Sequence, residues 1–107
     1  MDQQTPNRRY ELQAQLVNIA GEGHVAFEPK SNVRLSYPCI RYSQSRGSHA
    51  YADDKTYHFE PGYELTLIST NPDEPINAQL IETFPKIRFD RHWVAENLHH
   101  WAYIIYN

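Results

Sequence analysis

Cysteine is almost missing from this 107-residue chain, which contains only Cys39. One thiol cannot form a disulfide within the chain, and this excludes a small secreted scaffold held together by disulfides. A catalytic thiol needs a lowered pKa and a base within reach, and the run Tyr37-Pro38-Cys39-Ile40 offers no base. We therefore expect Cys39 to pack in the core rather than act as a nucleophile.

Long apolar runs and an excess of positive charge are also lacking. No stretch approaches the roughly 20 apolar residues that are needed to cross a bilayer, and the first residues do not have the pattern of a signal peptide. The net charge is −3, whereas a dedicated nucleic-acid binder needs a basic face that displaces counterions from phosphates. These absences predict a cytoplasmic protein with no membrane partner.

Common enzyme motifs are missing as well. The segment Gly21-Glu22-Gly23 lacks the Lys and Ser or Thr with which a phosphate-binding loop grips phosphate and metal. Ser69 and Thr70 have no flanking glycines of the kind found at a nucleophile elbow. No pair of carboxylates shows the arrangement that glycoside cleavage requires. We predict no catalytic residue and no enzymatic activity.

Two groups of residues deserve consideration as metal ligands. A C-terminal hairpin would bring His92 close to His99, and neutral imidazole is a common metal ligand. However, no CxxC pair or HExxH motif completes a zinc set, and Asp53 and Asp54 lack the spacing of an EF-hand. We predict no metal site and no cofactor, and we interpret the histidines, including His100, as surface or interface residues.

Aromatic residues are abundant: the chain has eight Tyr, four Phe and two Trp. Such rings suit both β-strands and protein interfaces. Seven Arg stand against three Lys, and Arg is the cation that is enriched at interfaces. With 40% hydrophobic and 21% charged residues, the composition is that of one globular domain spanning residues 1–107.

The first half of the chain predicts one helix and three strands. Residues 5–20 read as a helix, with Thr5 as its cap and apolar residues recurring at helical spacing, and Gly21 ends it. Short strands are predicted over residues 24–28, 39–43 and 63–69; the last of these alternates between apolar and polar residues.

The second half predicts a helix and two strands. Asp73 is the expected helix cap, Glu74 favours the positive end of the helix, and Pro85 ends it. The expected buried stripe consists of Ile76, Leu80, Ile81 and Phe84. Strands over residues 87–93 and 101–106 follow, joined by a turn at Glu96-Asn97, and the last strand is apolar on both faces, which predicts a central position or a covered second face. The fold class is therefore α+β: a mostly antiparallel sheet of four to five strands with two helices packed on one side.

A long polar stretch separates the second and third strands, from Gln44 to Gly62. Loops longer than about 12–15 residues are uncommon in compact domains unless they serve a function. Its aromatic content predicts a projecting hairpin arm over residues 44–62 that becomes ordered against another chain, with its Asp pair facing arginines of an adjoining subunit. The candidate interface residues are Arg46, Tyr51, Asp53, Asp54, Tyr57, Phe59, Arg88, Arg91 and Trp101.

Several short motifs occur in an order that resembles a known family. They begin with Tyr37-Pro38-Cys39-Ile40-Arg41-Tyr42, Ala52-Asp53-Asp54-Lys55, Tyr57 and the run Gly62 to Ile68. They continue with Asn71-Pro72-Asp73, Phe84-Pro85, Phe89-Asp90-Arg91 and Glu96-Asn97-Leu98-His99-His100. Together they span the chain from about Leu12 to Tyr106. In this order they resemble the small tail-terminator or tail-completion proteins of long-tailed bacteriophages, which are encoded among head–tail joining genes.

The resemblance implies a structural virion protein without a cofactor. Proteins of this family form rings, typically hexameric, that cap the tail tube, stop its polymerisation and present a surface to the head connector. The implied partners are further copies of this chain, the tail tube protein and a head-completion or connector protein, while DNA passes through the lumen without sequence-specific binding. The implied location is the tail neck of the virion, after assembly in the host cytoplasm. An alternative within the same junction is a head-completion, stopper or connector-adaptor protein, and a third hypothesis is a small enzyme or metal-dependent regulator that uses the His and Asp residues.

Overall fold

The computed structural model describes residues 8–29, 34–44 and 62–106. In chain order these residues form α1 (Arg8–Ala20), β1 (Val25–Phe27), β2 (Cys39–Gln44), β3 (Gly62–Ser69), α2 (Ile76–Thr83), β4 (Ile87–Ala95) and β5 (Leu98–Tyr106). The predicted α+β class is confirmed. The predicted arm lies outside the described residues apart from its two ends, so it stays a prediction. Among the described residues, no helix has the length and the apolar character that crossing a membrane requires.

The five strands form one sheet in the order β1-β2-β3-β5-β4. β1 runs parallel to β2, and the other neighbouring pairs are antiparallel. β5 therefore lies between β3 and β4, and this central position explains why its sequence is apolar on both faces. The outer edges of the sheet are β1 and β4.

The core lies between the two helices and one face of the sheet, which we call the helix face. Alternate strand residues point to it because successive side chains of a strand lie on opposite sides. On β3, for example, Leu65 is fully buried while Glu64 is exposed. The buried set is Leu12, Leu16, Ile40, Tyr42, Tyr63, Leu65, Leu67, Ile76, Leu80, Phe84, Tyr103 and Ile105. Each fully buried aliphatic or aromatic side chain contributes about 1.5–3 kcal/mol.

The predicted end of α1 is confirmed. The helix ends at Ala20, and Gly21 follows with φ of 103°, a left-handed conformation that glycine adopts without steric cost. The amide N–H of Gly21 donates to the carbonyl of Val17 at 2.7 Å. The predicted cap of the helix at Thr5 lies outside the described residues.

The start of α2 differs from the prediction, because Asp73 does not cap it. The helix begins at Ile76 with Pro75 in the cap position and no side-chain cap bond at that residue. Instead, the buried carboxylate of Glu74 accepts from the Ile76 amide at 3.3 Å and from the Ser69 hydroxyl at 2.7 Å. Glu74 therefore joins the helix start to the end of β3.

The buried stripe of α2 is also narrower than predicted. Ile76, Leu80 and Phe84 are buried, but Ile81 is 56% exposed, so the assignment of Ile81 to the stripe is wrong. Ile81 follows Leu80 by one residue, which turns its side chain about 100° around the helix and away from the sheet. Phe84 leaves the helix in an extended conformation before Pro85, as predicted.

The hairpin of β4 and β5 turns at Glu96 and Asn97, as predicted. Both residues have positive φ, 55° and 66°, which is the conformation of a type I′ turn and matches the twist of the flanking strands. Because this turn takes only two residues, both strands are longer than predicted. A bulge between Phe89 and Arg91 interrupts the pairing of β4 with β5.

Candidate interface on the β4–β5 hairpin

The two faces of the β4–β5 hairpin carry different side chains. The helix face of the hairpin carries Phe89, His92, Val94, His99 and Trp101. The opposite face, which we call the open face, carries Arg88, Arg91, Trp93 and His100. Arg88 pairs with Ile104 and Arg91 with Ala102, so the bulge at Asp90 keeps both arginines on the open face.

Arg88 and Arg91, which the sequence predicted as interface residues, are both exposed. The Arg91 guanidinium lies 5.0 Å from the centre of the Trp93 ring, a cation–π arrangement. Arg91 Nε also lies 4.0 Å from Asp90 Oδ2, with the two side chains 72% and 52% exposed. An ion pair this exposed contributes about 0–1 kcal/mol, so the guanidinium is still able to pair with a partner's carboxylate.

Trp101, the third described candidate, lies on the other side of the sheet from the two arginines. It is half-buried and packs against the core. Its ring centre is 5.3 Å from that of His92 and 5.6 Å from that of His99. The three described candidates therefore do not lie on one face of the sheet, and Trp101 packs against the core of its own chain.

The other six predicted interface residues lie outside the described residues: Arg46, Tyr51, Asp53, Asp54, Tyr57 and Phe59. Pairing of the two aspartates with Arg88 or Arg91 of an adjoining subunit stays a prediction.

The hairpin brings His92 and His99 together, as the sequence suggested. His92 Nε2 lies 3.0 Å from His99 Nδ1, and the ring planes differ by 13° with centres 5.2 Å apart. The nitrogen atoms are much closer than the ring centres, so the rings meet edge to edge with these two atoms facing each other. One nitrogen donates a hydrogen bond and the other accepts it. Among the described residues, no group of three or more His, Cys, Asp or Glu side chains is arranged to hold a metal ion.

His100 takes no part in this pair. It lies on the open face with its ring 4.9 Å from that of Trp93 and nearly parallel to it. Its Nδ1 donates to the carbonyl of Leu98 at 3.1 Å. Two adjacent histidines on one strand are thus separated by the sheet, because neighbouring strand residues point to opposite faces.

Two exposed apolar residues of the hairpin were missed from the sequence. Phe89 is 57% and Val94 is 55% exposed, and the Phe89 ring meets Tyr103 edge to face at 5.6 Å. The missing information was the position of β4 at the edge of the sheet, beyond the reach of the helices. Exposed aromatic side chains such as Phe89 are enriched at protein–protein contact sites.

Cys39 is 1% exposed, which confirms its predicted place in the interior. Burial raises the pKa of its thiol above the ordinary 9.0, and the nearby Arg41 opposes this shift only in part. The thiol is therefore neutral at physiological pH, and a neutral thiol is a poor nucleophile.

A shallow pocket of about 330 Å³ opens on the sheet near β2, lined by Glu28, Pro29, Arg41, Tyr42, Ser43, Glu64 and Thr66. Its charged groups are two carboxylates and one guanidinium, and they do not form a set with an evident acid, base or nucleophile. The hairpin is therefore the stronger candidate for a functional surface.

Comparison of the chain with protein-family models, with curated proteins and with solved structures returned no match.

Proposed function

We propose that this protein is a structural virion component, a tail terminator that forms a ring on the end of the tail tube and joins it to the head connector. The structural observation that supports the proposal is the β4–β5 hairpin at the edge of the sheet. It exposes Phe89 and Val94 on one face and Arg88 and Arg91 on the other. The motif order that resembles tail-terminator proteins supplies the identity of the assembly.

A ring requires two different surfaces on each subunit, because one heterologous contact repeats until it closes. The hairpin exposes Phe89 and Val94 on one face and Arg88 and Arg91 on the other. Apolar residues supply buried anchors at the centre of a contact, while arginines pair with carboxylates and fix its register. A neighbouring subunit that packs on the hairpin would bury side chains that its own chain leaves exposed.

The edge strand β4 favours contacts through side chains over pairing of backbones. It carries Arg88, Asp90 and Arg91, and it has a bulge at Asp90. Charges and bulges on an edge strand discourage the addition of further strands. These features favour a closed assembly of limited size over an open-ended stack of sheets.

The experiment that tests the proposal measures both mass and partner. We expect light scattering of the purified protein, alone or with isolated tail tubes, to show a closed oligomer, and electron microscopy to show it at tube ends. A Phe89→Ser, Val94→Ser double variant should lose the oligomer. The matched control is Ile81→Ser, because Ile81 is equally exposed, at 56%, but lies on α2.

Two outcomes would contradict the proposal. A strictly monomeric protein that never associates with tubes would exclude a terminator ring. Association with purified head connectors in the absence of tubes, together with no binding to tubes, would support the head-completion or adaptor alternative instead.

A further inference from the structure

The contact between His92 and His99 is the least explained feature of the hairpin. The two residues lie on different strands: His92 pairs with Trp101, and His99 pairs with Val94. They are diagonal neighbours on one face, a position from which long side chains reach each other. Two imidazole nitrogens are thereby held at a surface that water and ions can reach, since His92 is exposed and His99 is half-exposed.

We propose that His92 and His99 together bind a divalent transition-metal ion of the Cu²⁺ or Ni²⁺ type, with water in the other coordination positions. His92 lies between Phe89 and Val94 on the face that the proposed ring contact would cover, so the proposal concerns the subunit before assembly. It needs two protein ligands only, and therefore agrees with the finding that no third His, Cys, Asp or Glu joins the pair among the described residues.

The ligand chemistry indicates the class of metal. His92 Nε2 and His99 Nδ1 are 3.0 Å apart, a hydrogen-bond distance, so the two imidazole nitrogens can approach one point. Imidazole nitrogens suit first-row transition metals such as Cu²⁺ and Ni²⁺, and rotation of the rings sets the final coordination geometry. Cu²⁺ is also the divalent ion that such nitrogen sites bind most tightly.

Metal binding requires two local changes. In the metal-free pair one of the facing nitrogens carries the shared proton, whereas both must offer a lone pair to the ion. The proton moves to the far nitrogen of the same ring, so the neutral pair gains the metal without a net loss of protons. Both rings must also turn so that their lone pairs converge on one point, and the exposed position of His92 leaves room for that rotation.

Trp101 provides a reporter for the site. Its ring lies 5.3 Å from His92 and 5.6 Å from His99, so a bound Cu²⁺ ion would sit close to the indole. The chain has one other tryptophan, Trp93, whose partner His100 lies on the open face. In a Trp93→Phe variant, Trp101 is therefore the one remaining tryptophan, and tryptophan fluorescence reports on this site.

The test titrates CuCl₂ into the full chain of this variant and follows Trp101 fluorescence and the electron paramagnetic resonance spectrum of Cu²⁺. We expect saturable quenching with one ion per chain and a spectrum with two nitrogen ligands. His92→Asn and His99→Asn each remove one metal ligand. Loss of a group that only supports a ligand lowers metal affinity by roughly 10–100-fold, so each variant should weaken Cu²⁺ binding by at least that factor. Circular dichroism without metal should show that both variants retain the fold.

His100→Asn is the matched control, because it changes the neighbouring residue on the same strand while the side chain lies on the other face. It should leave the affinity and the spectrum unchanged. Quenching that persists in both the His92→Asn and the His99→Asn variant, or that His100→Asn weakens equally, would overturn the proposal. If either single variant fails to fold, the spectrum of Cu²⁺ bound to the chain with both histidines decides. Fewer than two nitrogen ligands in that spectrum would also overturn the proposal.

Discussion

The part of the sheet under the helices and the β4–β5 hairpin at its edge both contain many apolar residues, but they differ in how far those residues are exposed to water. On β2 and β3, Ile40, Leu65 and Leu67 are fully excluded from water by α1 and α2. On β4, Phe89 and Val94 are more than half exposed. β5 contributes to both parts, because Tyr103 and Ile105 are buried while His99 is half-exposed. The covered part supplies folding stability, whereas the hairpin leaves apolar and charged side chains exposed to solvent.

The largest effect should follow from opening a cavity in the covered part. Leu80→Ala removes a side chain with 0% exposure, and we expect it to lower the free energy of unfolding by about 2–5 kcal/mol. Urea denaturation followed by circular dichroism measures this. Ile81→Ala, one residue along the same helix and 56% exposed, is the control and should change stability by less than about 0.5 kcal/mol. Equal losses in the two variants would show that the two residues are equally covered.

A smaller effect should follow from straining the turn of the hairpin. Asn97 has φ of 66°, a left-handed conformation that costs a β-branched residue about 1–2 kcal/mol. Asn97→Val should therefore destabilise the protein by about that amount in the same denaturation experiment. Asn97→Gly should be neutral or slightly stabilising, because glycine adopts this conformation freely. A loss in the glycine variant would mean that the Asn97 side chain, rather than its backbone, matters.

A change that tests the border between the two parts is Tyr103→Phe. The Tyr103 hydroxyl donates to Asn77 Oδ1 on α2, and loss of this bond should cost about 1 kcal/mol at neutral pH. Burial also raises the pKa of the Tyr103 phenol above its ordinary 10.0. The stability that the buried neutral phenol contributes is fully present below pH 10, where the phenol of the unfolded chain is still protonated. This contribution is lost as the pH rises toward the higher pKa of the folded state.

The measurement is the urea midpoint from pH 7 to 11. The wild type should lose stability above about pH 10, and Tyr103→Phe should lose less. Part of the slope should persist in the variant, because burial also raises the pKa of Tyr42 and of Cys39. An unchanged slope would show that Tyr103 does not contribute to it.

The smallest effect on folding is expected from Arg91→Ala in the hairpin. Its side chain is 72% exposed, so the free energy of unfolding of the isolated chain should change by less than about 0.5 kcal/mol. Under the proposed function, the same variant should weaken the oligomer in light scattering. If the variant assembles fully, Arg91 is not part of the interface. The contact would then depend on the exposed apolar side chains of the hairpin.

Local patterns in the sequence predicted the elements well, because helix and strand periods and turn residues act over a few residues. Gly21 ended α1, Pro85 followed the end of α2, and Glu96-Asn97 formed the turn, in each case through a backbone preference of the residue itself or of its neighbour. The meeting of His92 and His99 could be anticipated for the same reason, since a short hairpin brings its two strands together.

Features that depend on distant elements could not be predicted. Asp73 has the side chain of a helix cap, but Glu74 binds both the Ile76 amide and the Ser69 hydroxyl because β3 ends beside the helix start. The separation of Trp101 from Arg88 and Arg91 followed from the register and bulge of the hairpin. Neither fact is contained in the spacing of nearby residues.

The sequence by itself determined where the helices and strands of the described segments lie and which strand residues alternate between two faces. Only the tertiary structure decided which apolar residues lose contact with water: Leu80 and Ile81 are adjacent and equally apolar, yet one is buried and the other is exposed. The physical reason is that backbone preferences are local, whereas burial depends on which distant elements cover a side chain. For the same reason, only the fold shows that Phe89 and Val94 stay exposed at the edge of the sheet, outside the cover of the helices.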